Sequence, residues 1–326
     1  MRKIRVLWIL PGIEENVNSM VFSRYQISDL KENEIEGKIF YFNTKIEIQN
    51  LRNEFIRYKT FIKKYKPDII HSHYGTISAF LGLMFSKCPY IITFQGSDLN
   101  KTPSDGFFRD LFGRKLSLIA AKKTDKIICV SERLKQRLPK KLQNKTEVIP
   151  FGINIEHFKP INIYKARKYL SWTTDEKVIL FNGNNPKIKR LDLAKEVEKI
   201  VKKTIPNVRL FVLEGKTNPE YIPFYINSSN VLLLCSDNEG SPMMIKESMA
   251  CNLPIVANDV GDVAERISKV NNCYLVNQNV NELANAIIQV LKSSIKTNGR
   301  EIIQFQDLSN EKILLKVKKL YESLIC

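Results

Sequence analysis

An α/β chain of two doubly wound parallel-sheet domains is what the sequence predicts, on three observations. Short apolar, β-rich runs alternate with helix-patterned segments from end to end. The strand runs are near-continuously apolar, as strands buried on both faces are. The alternation starts afresh midway through 326 residues, a length that accommodates two domains of ordinary size.

The elements follow in order. Residues 3–10 carry an apolar run behind a basic head, cut short by Pro11 with no small-residue cleavage site after it, so they read as a first strand and not as a signal peptide. Strands are expected next at 38–42, 68–71, 90–94 and 126–130, with helices at 51–65 and 107–123 between them. Val148-Ile-Pro-Phe-Gly-Ile-Asn154 leads into a polar stretch with Pro160, after which strands resume at 178–182, 209–213, 231–235 and 254–257. Helices fall at 189–203, 242–251 and 280–291, and in the first of these Leu191, Ala194, Val197 and Val201 make one apolar stripe. The domains are thus 1–155 and 160–306, and a last helix at 309–325, capped by Ser309, is free to pack back on the first. A ligand is expected in the cleft between the domains, because open parallel sheets bind at the carboxyl ends of their strands.

Lys and Arg number 51 against 34 Asp and Glu, a net charge of +17 that favours anionic partners such as nucleotides, phospholipid headgroups or nucleic acid. Residues 1–160 hold 28 of the basic and 16 of the acidic residues, so the excess sits mainly in the first half. No base-reading motif accompanies the basic residues, which sets specific nucleic-acid binding aside. No Gly-x-Gly-x-x-Gly follows either domain's first strand, which disfavours a nicotinamide dehydrogenase. Cys88, Cys129, Cys235, Cys251, Cys273 and Cys326 are widely spaced with no Cys-x-x-Cys, and read as reduced thiols of a cytoplasmic protein. No apolar stretch approaches the ~18–20 residues that span a bilayer, so membrane contact is expected to be peripheral.

The most informative stretch is Cys235-Ser-Asp-Asn-Glu239-Gly240-Ser241-Pro242-Met243-Met-Ile-Lys-Glu247. It reads as a loop after a strand, with Ser241 as helix cap and Pro242 at the first helical position. Glu239 then lies just outside a helix N-terminus and Glu247 about a turn and a half inside, roughly 10 Å apart at ~1.5 Å per residue. That is too far for a retaining-glycosidase carboxylate pair but suits gripping the two ends of an elongated ligand. Free N–H groups of Gly240 and Ser241, with the helix dipole, add an anion-friendly patch between them. Taken alone, the two glutamates are also readable as a loop acid and a solvated helix acid.

Context adds a resemblance. The Glu-x7-Glu spacing at a strand–loop–helix junction, followed by Ala250-Cys-Asn-Leu-Pro-Ile-Val-Ala-Asn-Asp-Val-Gly-Asp-Val-Ala-Glu265, closely resembles the signature of the family 4 retaining glycosyltransferases. That family has the GT-B fold, two Rossmann-like domains with the active site in the cleft. Asp68-Ile-Ile-His-Ser-His73, Thr93-Phe-Gln-Gly-Ser-Asp98 and the segment from Val148 to Pro160 are similar to further family motifs, in the same order.

The resemblance implies a nucleotide-sugar donor, with Glu247 on its ribose hydroxyls and Glu239 on hydroxyls of its sugar, both as charge-assisted acceptors. Amides of Gly240, Ser241 and Met243 would face sugar and phosphate. The loop opening at Gly183 and Lys189 at a helix start would serve the diphosphate; Asn184 stands where the family commonly has Arg, and Arg190 is the local candidate to replace it. Lys187, Lys189 and Arg190 otherwise read as one solvated basic cluster. Gln95 stands where the family often has His, and with Gly96, whose backbone permits close approach, is assigned to the catalytic loop. Asp98 either orients that loop or the acceptor, or caps it. Gly12, in a first loop where the family often has a glycine-rich turn, and His73 are expected on the acceptor side. Residues 216–223 are placed to flank the base.

No Asp-x-Asp occurs, the motif with which metal-dependent glycosyltransferases of the other common fold hold a divalent ion, so neutralisation by Lys, Arg and helix dipole without a metal or other cofactor is expected. His71 and His73 share a strand face with no third ligand in view, which does not make a zinc site. In 51–66, Leu51, Phe55, Ile62 and Tyr65 lie near one helical face and six cations largely elsewhere, while 107–116 interleaves aromatics with cations. Either segment binds anionic lipid or packs its stripe on its own sheet, and the basic excess of the first half favours loose membrane association. The function expected is a retaining transfer of sugar from a UDP- or GDP-sugar to a glycan or lipid-linked saccharide at the cytoplasmic face of the membrane, in surface polysaccharide assembly. The alternative is a catalytically silent GT-B-like subunit that binds a partner or nucleotide.

Overall fold

Among the described residues, eleven strands form two sheets in which every strand pair is parallel. The computed structural model describes residues 3–16, 19–32, 35–43, 48–101, 107–215 and 217–325, with backbone alone for 48–51 and 107–110. Lys216, Cys326 and the side chains of Leu51 and Phe107 therefore lie outside the described residues. The chain divides into one unit that ends at Gly152 and takes back the segment from Glu311, and a second unit of Ile153–Asn310.

The first unit runs β1 (Arg5–Pro11), α1 (Val21–Glu32), β2 (Glu36–Phe42), α2 (Ile48–Tyr65), β3 (Ile69–His73), α3 (Thr76–Met84), β4 (Tyr90–Phe94), α4 (Phe107–Lys123), β5 (Lys126–Cys129), α5 (Glu132–Lys135), α6 (Lys140–Gln143) and β6 (Thr146–Val148). Its sheet order is β2-β1-β3-β4-β5-β6. Five successive residues of β1, Val6 to Leu10, are buried, which is what a central strand covered on both faces requires. Trp8 fills the space over β2: a Cβ on Gly37 would fall 1.9 Å from its ring, so only glycine fits opposite the indole. α2 buries Tyr58 and Tyr65 and packs Tyr58, tilted, and Phe61, edge-on, against Phe40 of β2. Its aromatic face thus packs on its own sheet and leaves Arg52, Lys59, Lys63 and Lys64 in solvent.

The second unit runs α7 (Ile163–Tyr169), β7 (Lys177–Asn182), α8 (Pro186–Lys189), α9 (Leu191–Thr204), β8 (Val208–Leu213), α10 (Ile222–Ser228), β9 (Val231–Leu234), α11 (Met243–Ala250), β10 (Ile255–Ala257), α12 (Val263–Ile267), β11 (Tyr274–Leu275), α13 (Val280–Lys292) and α14 (Gly299–Phe305). Its sheet order is β11-β10-β9-β7-β8. Leu193, Ala194, Val197 and Val201 of α9 and Leu283, Ala284 and Ile287 of α13 bury against Ile179, Phe181, Val231 and Leu233. The last helix, α15 (Asn310–Glu322), places Ile313, Val317, Leu320 and Tyr321 in the first unit's core with Val6, Trp8 and Leu10.

The α/β class and the nine expected strands are present, with the third extended to His73. Two helix expectations change. The segment 189–203 is interrupted, because Arg190 takes a left-handed conformation (φ 62°) between α8 and α9, so Lys189 ends a short helix and does not start a long one. Ser241 does not cap α11; Pro242 occupies the cap position without a side-chain bond, because the Ser241 hydroxyl is held elsewhere. No described helix is long and apolar enough to cross a membrane. The five cysteines among the described residues are free thiols.

Candidate active site

In each sheet the strand order reverses beside the unit's first strand, at β1/β3 and at β7/β9, and such reversals leave a crevice at the carboxyl ends of the strands. The second unit's crevice is bordered by the loops after β7 and β9. Gly183 opens the first loop; its N–H donates to the Leu213 carbonyl (2.8 Å), and a Cβ there would fall 2.4 Å from Val212, so contact with β8 demands glycine. The Asp237 N–H donates to the Ile188 carbonyl (2.8 Å) and ties the two loops together.

Lys189 Nζ donates to Glu239 Oε1 in an ion pair, and Ser236 Oγ donates to the same oxygen at 2.9 Å. The structure thus brings together the two residues expected at the sugar and the diphosphate. Arg190, by contrast, is held by Asp192 (2.9 Å) and Asp237 (3.3 Å), and these carboxylates push its pKa above the ordinary value. Asn184 lies in the exposed part of the loop and takes its N–H to its neighbour Asn182 Oδ1 (3.0 Å).

Glu247, on α11, is only 7% exposed, and among the described residues nothing hydrogen-bonds or ion-pairs with its carboxylate. Burial pushes its pKa up to about 7, against the pull of the neighbouring Lys246 charge. The N–H groups of Gly240 and Ser241 likewise make no hydrogen bond among the described residues. A buried carboxylate normally has a partner. Hydroxyl donors would satisfy Glu247, and an anion or a polar oxygen would satisfy the amides ahead of Met243.

In the first unit Asp98 is fully buried and accepts from the N–H groups of Gly75 (2.9 Å), Gln95 (3.1 Å) and Gly96 (2.8 Å). Of the roles expected for it, these bonds are those of a residue that orients and caps: its oxygens hold the backbone of its own loop and of the turn at Gly75. Burial raises its pKa and the three N–H groups oppose that rise. Gly96 sits at φ +147°, a region that penalises a side chain. Gln95 donates its amide to Ser23 Oγ (2.9 Å). Gly12 takes φ +116° and closes on the Phe42 carbonyl (2.7 Å). His71 bonds Tyr321 (2.6 Å) and Thr93 (2.7 Å), and the Trp8 indole donates to the same Tyr321 hydroxyl (3.1 Å). The His73 ring lies tilted with its centroid 4.3 Å from that of His71, fully buried with neither ring nitrogen bonded among the described residues, and burial lowers its pKa to about 3.

Residues 16–157 match the model of Glycosyltransferase Family 4, and residues 183–293 that of Glycosyl transferases group 1. An uncharacterized glycosyltransferase of Methanocaldococcus jannaschii is 28% identical over 298 residues, 85% of this chain and 81% of that protein. The UDP-Gal:alpha-D-GlcNAc-diphosphoundecaprenol alpha-1,3-galactosyltransferase of Escherichia coli is 24% identical over 291 residues, 76% of this chain and 72% of that protein. Anabaena HepE, solved in complex with UDP and glucose, shares the fold with a TM-score of 0.76 at 16% identity, over 98% of this chain and 100% of that one. The chain is a family 4 glycosyltransferase of the GT-B fold.

In this glycosyltransferase the sequence reading missed a buried charge cluster beside the Glu239–Ser241 turn. Lys246 is fully buried and donates to Ser241 Oγ (3.2 Å), Ser241 donates to Asp262 Oδ2 (2.8 Å), and the same oxygen accepts from Arg266 Nε (2.8 Å). Gly261, at φ +56°, lies so close that a Cβ would fall 2.8 Å from the Gly240 carbonyl oxygen and 3.2 Å from Glu239 Cβ. The signal was available: a Lys inside an apolar helix face directly before Glu247, and an Asp four residues before Arg266.

Proposed function

We propose that this glycosyltransferase moves a sugar, with retention of configuration, from a UDP- or GDP-sugar to a glycan or lipid-linked saccharide in surface polysaccharide assembly. The observation that carries this reading is Glu247: a nine-tenths buried carboxylate without a partner among the described residues, on the helix that follows two amides unbonded among them. Two vicinal ribose hydroxyls satisfy such a group, and a diphosphate satisfies the amides and Lys189. Glu239 then takes hydroxyls of the sugar. In front-face transfer the leaving phosphate receives the acceptor's proton while main-chain carbonyl oxygens near Gly96 meet the developing positive charge on the sugar ring with the negative ends of fixed dipoles. Lysine, amides and helix dipole neutralise the leaving diphosphate without a metal. The similarity to an enzyme named for UDP-Gal and a diphosphoundecaprenol acceptor supports a lipid-linked substrate, and the solvent-facing cations of α2 support peripheral contact with anionic lipid on the cytoplasmic side.

The test is transfer from a panel of UDP- and GDP-sugars to lipid-linked saccharides with chelator present, the product's anomeric configuration read by NMR. Retained configuration is expected. Inversion, or dependence on added metal, contradicts the mechanism, and absence of any transfer or donor hydrolysis favours the silent-subunit reading.

A further inference from the structure

The positive charge expected beside the diphosphate is largely spoken for. Arg190 is bonded by two aspartates, Asn184 carries no charge, and Lys189 is bonded to Glu239. We propose that Lys246 is a buried positioning cation of the donor site, holding Ser241 from behind and placing a positive charge shielded from water behind the amides that receive the donor's phosphate. This rests on the donor reading of that loop given above.

Three observations carry it. Lys246 and Glu247 are successive residues of α11, so their side chains leave the helix about 100° apart. Glu247 keeps its unbonded carboxylate, and Lys246 turns to Ser241, whose hydroxyl is the link between the ammonium and Asp262. Second, Lys246 is the cation of this cluster that bonds the turn directly: Arg266 is shared between Asp262 (2.8 Å) and Glu265 (3.9 Å), while Lys246 reaches Asp262 only through the Ser241 hydroxyl. The cluster's charges are sealed from water, Lys246 at 0% and Asp262 at 2% exposure, and a charge acts over longer range where water does not screen it. Third, Gly261 lies so close to Gly240 and Glu239 that no Cβ fits between them, so the loop carrying Asp262 is packed directly against the turn.

Among the described residues the charged groups that act on Lys246 are Asp262, Arg266 and Glu247, and Glu265 of α12 pairs with Arg266 (3.9 Å). Neither α10 nor β10, which also pack against α11, brings a Lys, Arg, Asp or Glu; of α14, Arg300 is bonded to the carbonyls of Ala250 and Phe158 and Glu301 is exposed. Burial lowers the Lys246 pKa to about 8 and Asp262 opposes that fall, so the ammonium is charged at neutral pH and discharges in mild base.

The experiment is calorimetric titration of Lys246→Met and Lys246→Arg with UDP and GDP, and with uridine and guanosine as uncharged probes. Lys246→Met is expected to weaken the diphosphates by about tenfold while leaving the matching nucleoside within about twofold, and Lys246→Arg to recover most of the loss. Equal weakening of diphosphate and nucleoside, or no weakening, overturns the proposal, since Lys246 then acts on the helix as a whole or not at all, and not on the turn that meets the phosphate. Should Lys246→Met fail to fold, wild type decides: its preference for diphosphate over nucleoside is expected to fall between about pH 7 and pH 9, and a flat ratio overturns the proposal. If wild type binds neither nucleotide nor nucleoside, the donor reading itself fails, a result distinct from loss of the charge effect alone.

Discussion

Lys189 and Glu239 are bonded to each other across 50 positions of sequence, one ending a single helical turn after β7 and the other on the loop after β9. With side-chain exposures of 18% and 12% they are shielded enough for the pair to matter and open enough for a ligand to part them. A diphosphate that reaches Lys189 competes with Glu239 for the ammonium, and its arrival releases the carboxylate to accept sugar hydroxyls. Glu239→Gln is therefore expected to bind bare UDP or GDP about threefold more tightly than wild type while transferring sugar about a hundredfold more slowly. Tighter binding without loss of turnover removes Glu239 from the sugar, and weaker binding removes the competition.

Glu247 gives a pH dependence whose sign is fixed. Its pKa in the fold, about 7, lies above the ordinary 4.5, so the fold favours the protonated acid. The stability this contributes is full below about pH 4.5 and is lost as pH rises through about 7. Glu247→Gln is expected to raise the unfolding free energy near pH 8 by on the order of 3 kcal/mol and to leave it unchanged near pH 4.5. Urea melts at the two pH values check this, and an equal effect at both rules out a buried, unpaired acid.

Asp98 fastens two loops of the first unit through three backbone N–H groups, and Gly96 beside it occupies a conformation that side chains avoid. Asp98→Asn leaves N–H groups short of acceptors and is expected to cost about 1–3 kcal/mol. Gly96→Ala is expected to cost at least about 1 kcal/mol by strain. Thermal unfolding measures both, and wild-type melting temperatures for either variant contradict the stapled-loop geometry.

The parallel sheets were legible because their strands are uninterrupted apolar runs; β6 and β11 were not, since three and two residues make no pattern. Glu239, Gly240 and Glu247 were legible because a local strand–loop–helix junction carries them. Lys246 and Asp262 were not, because their partnership depends on β10 returning beside β9, a tertiary fact. Asp98 was seen as a residue but its role was left open: an acid after a strand end looks the same whether it meets a ligand or three amides. The break at Arg190 was hidden because the helical periodicity runs on past a left-handed residue.

The most direct measurement is thermal unfolding of wild type and Glu247→Ala against a panel of nucleoside diphosphates and their sugars. One nucleotide is expected to raise the wild-type melting temperature, since a ligand of the folded state stabilises it by mass action, and to lose most of that effect in the variant. A panel that leaves wild type unmoved, or a shift that survives in Glu247→Ala, would contradict the assignment of this helix to the nucleotide.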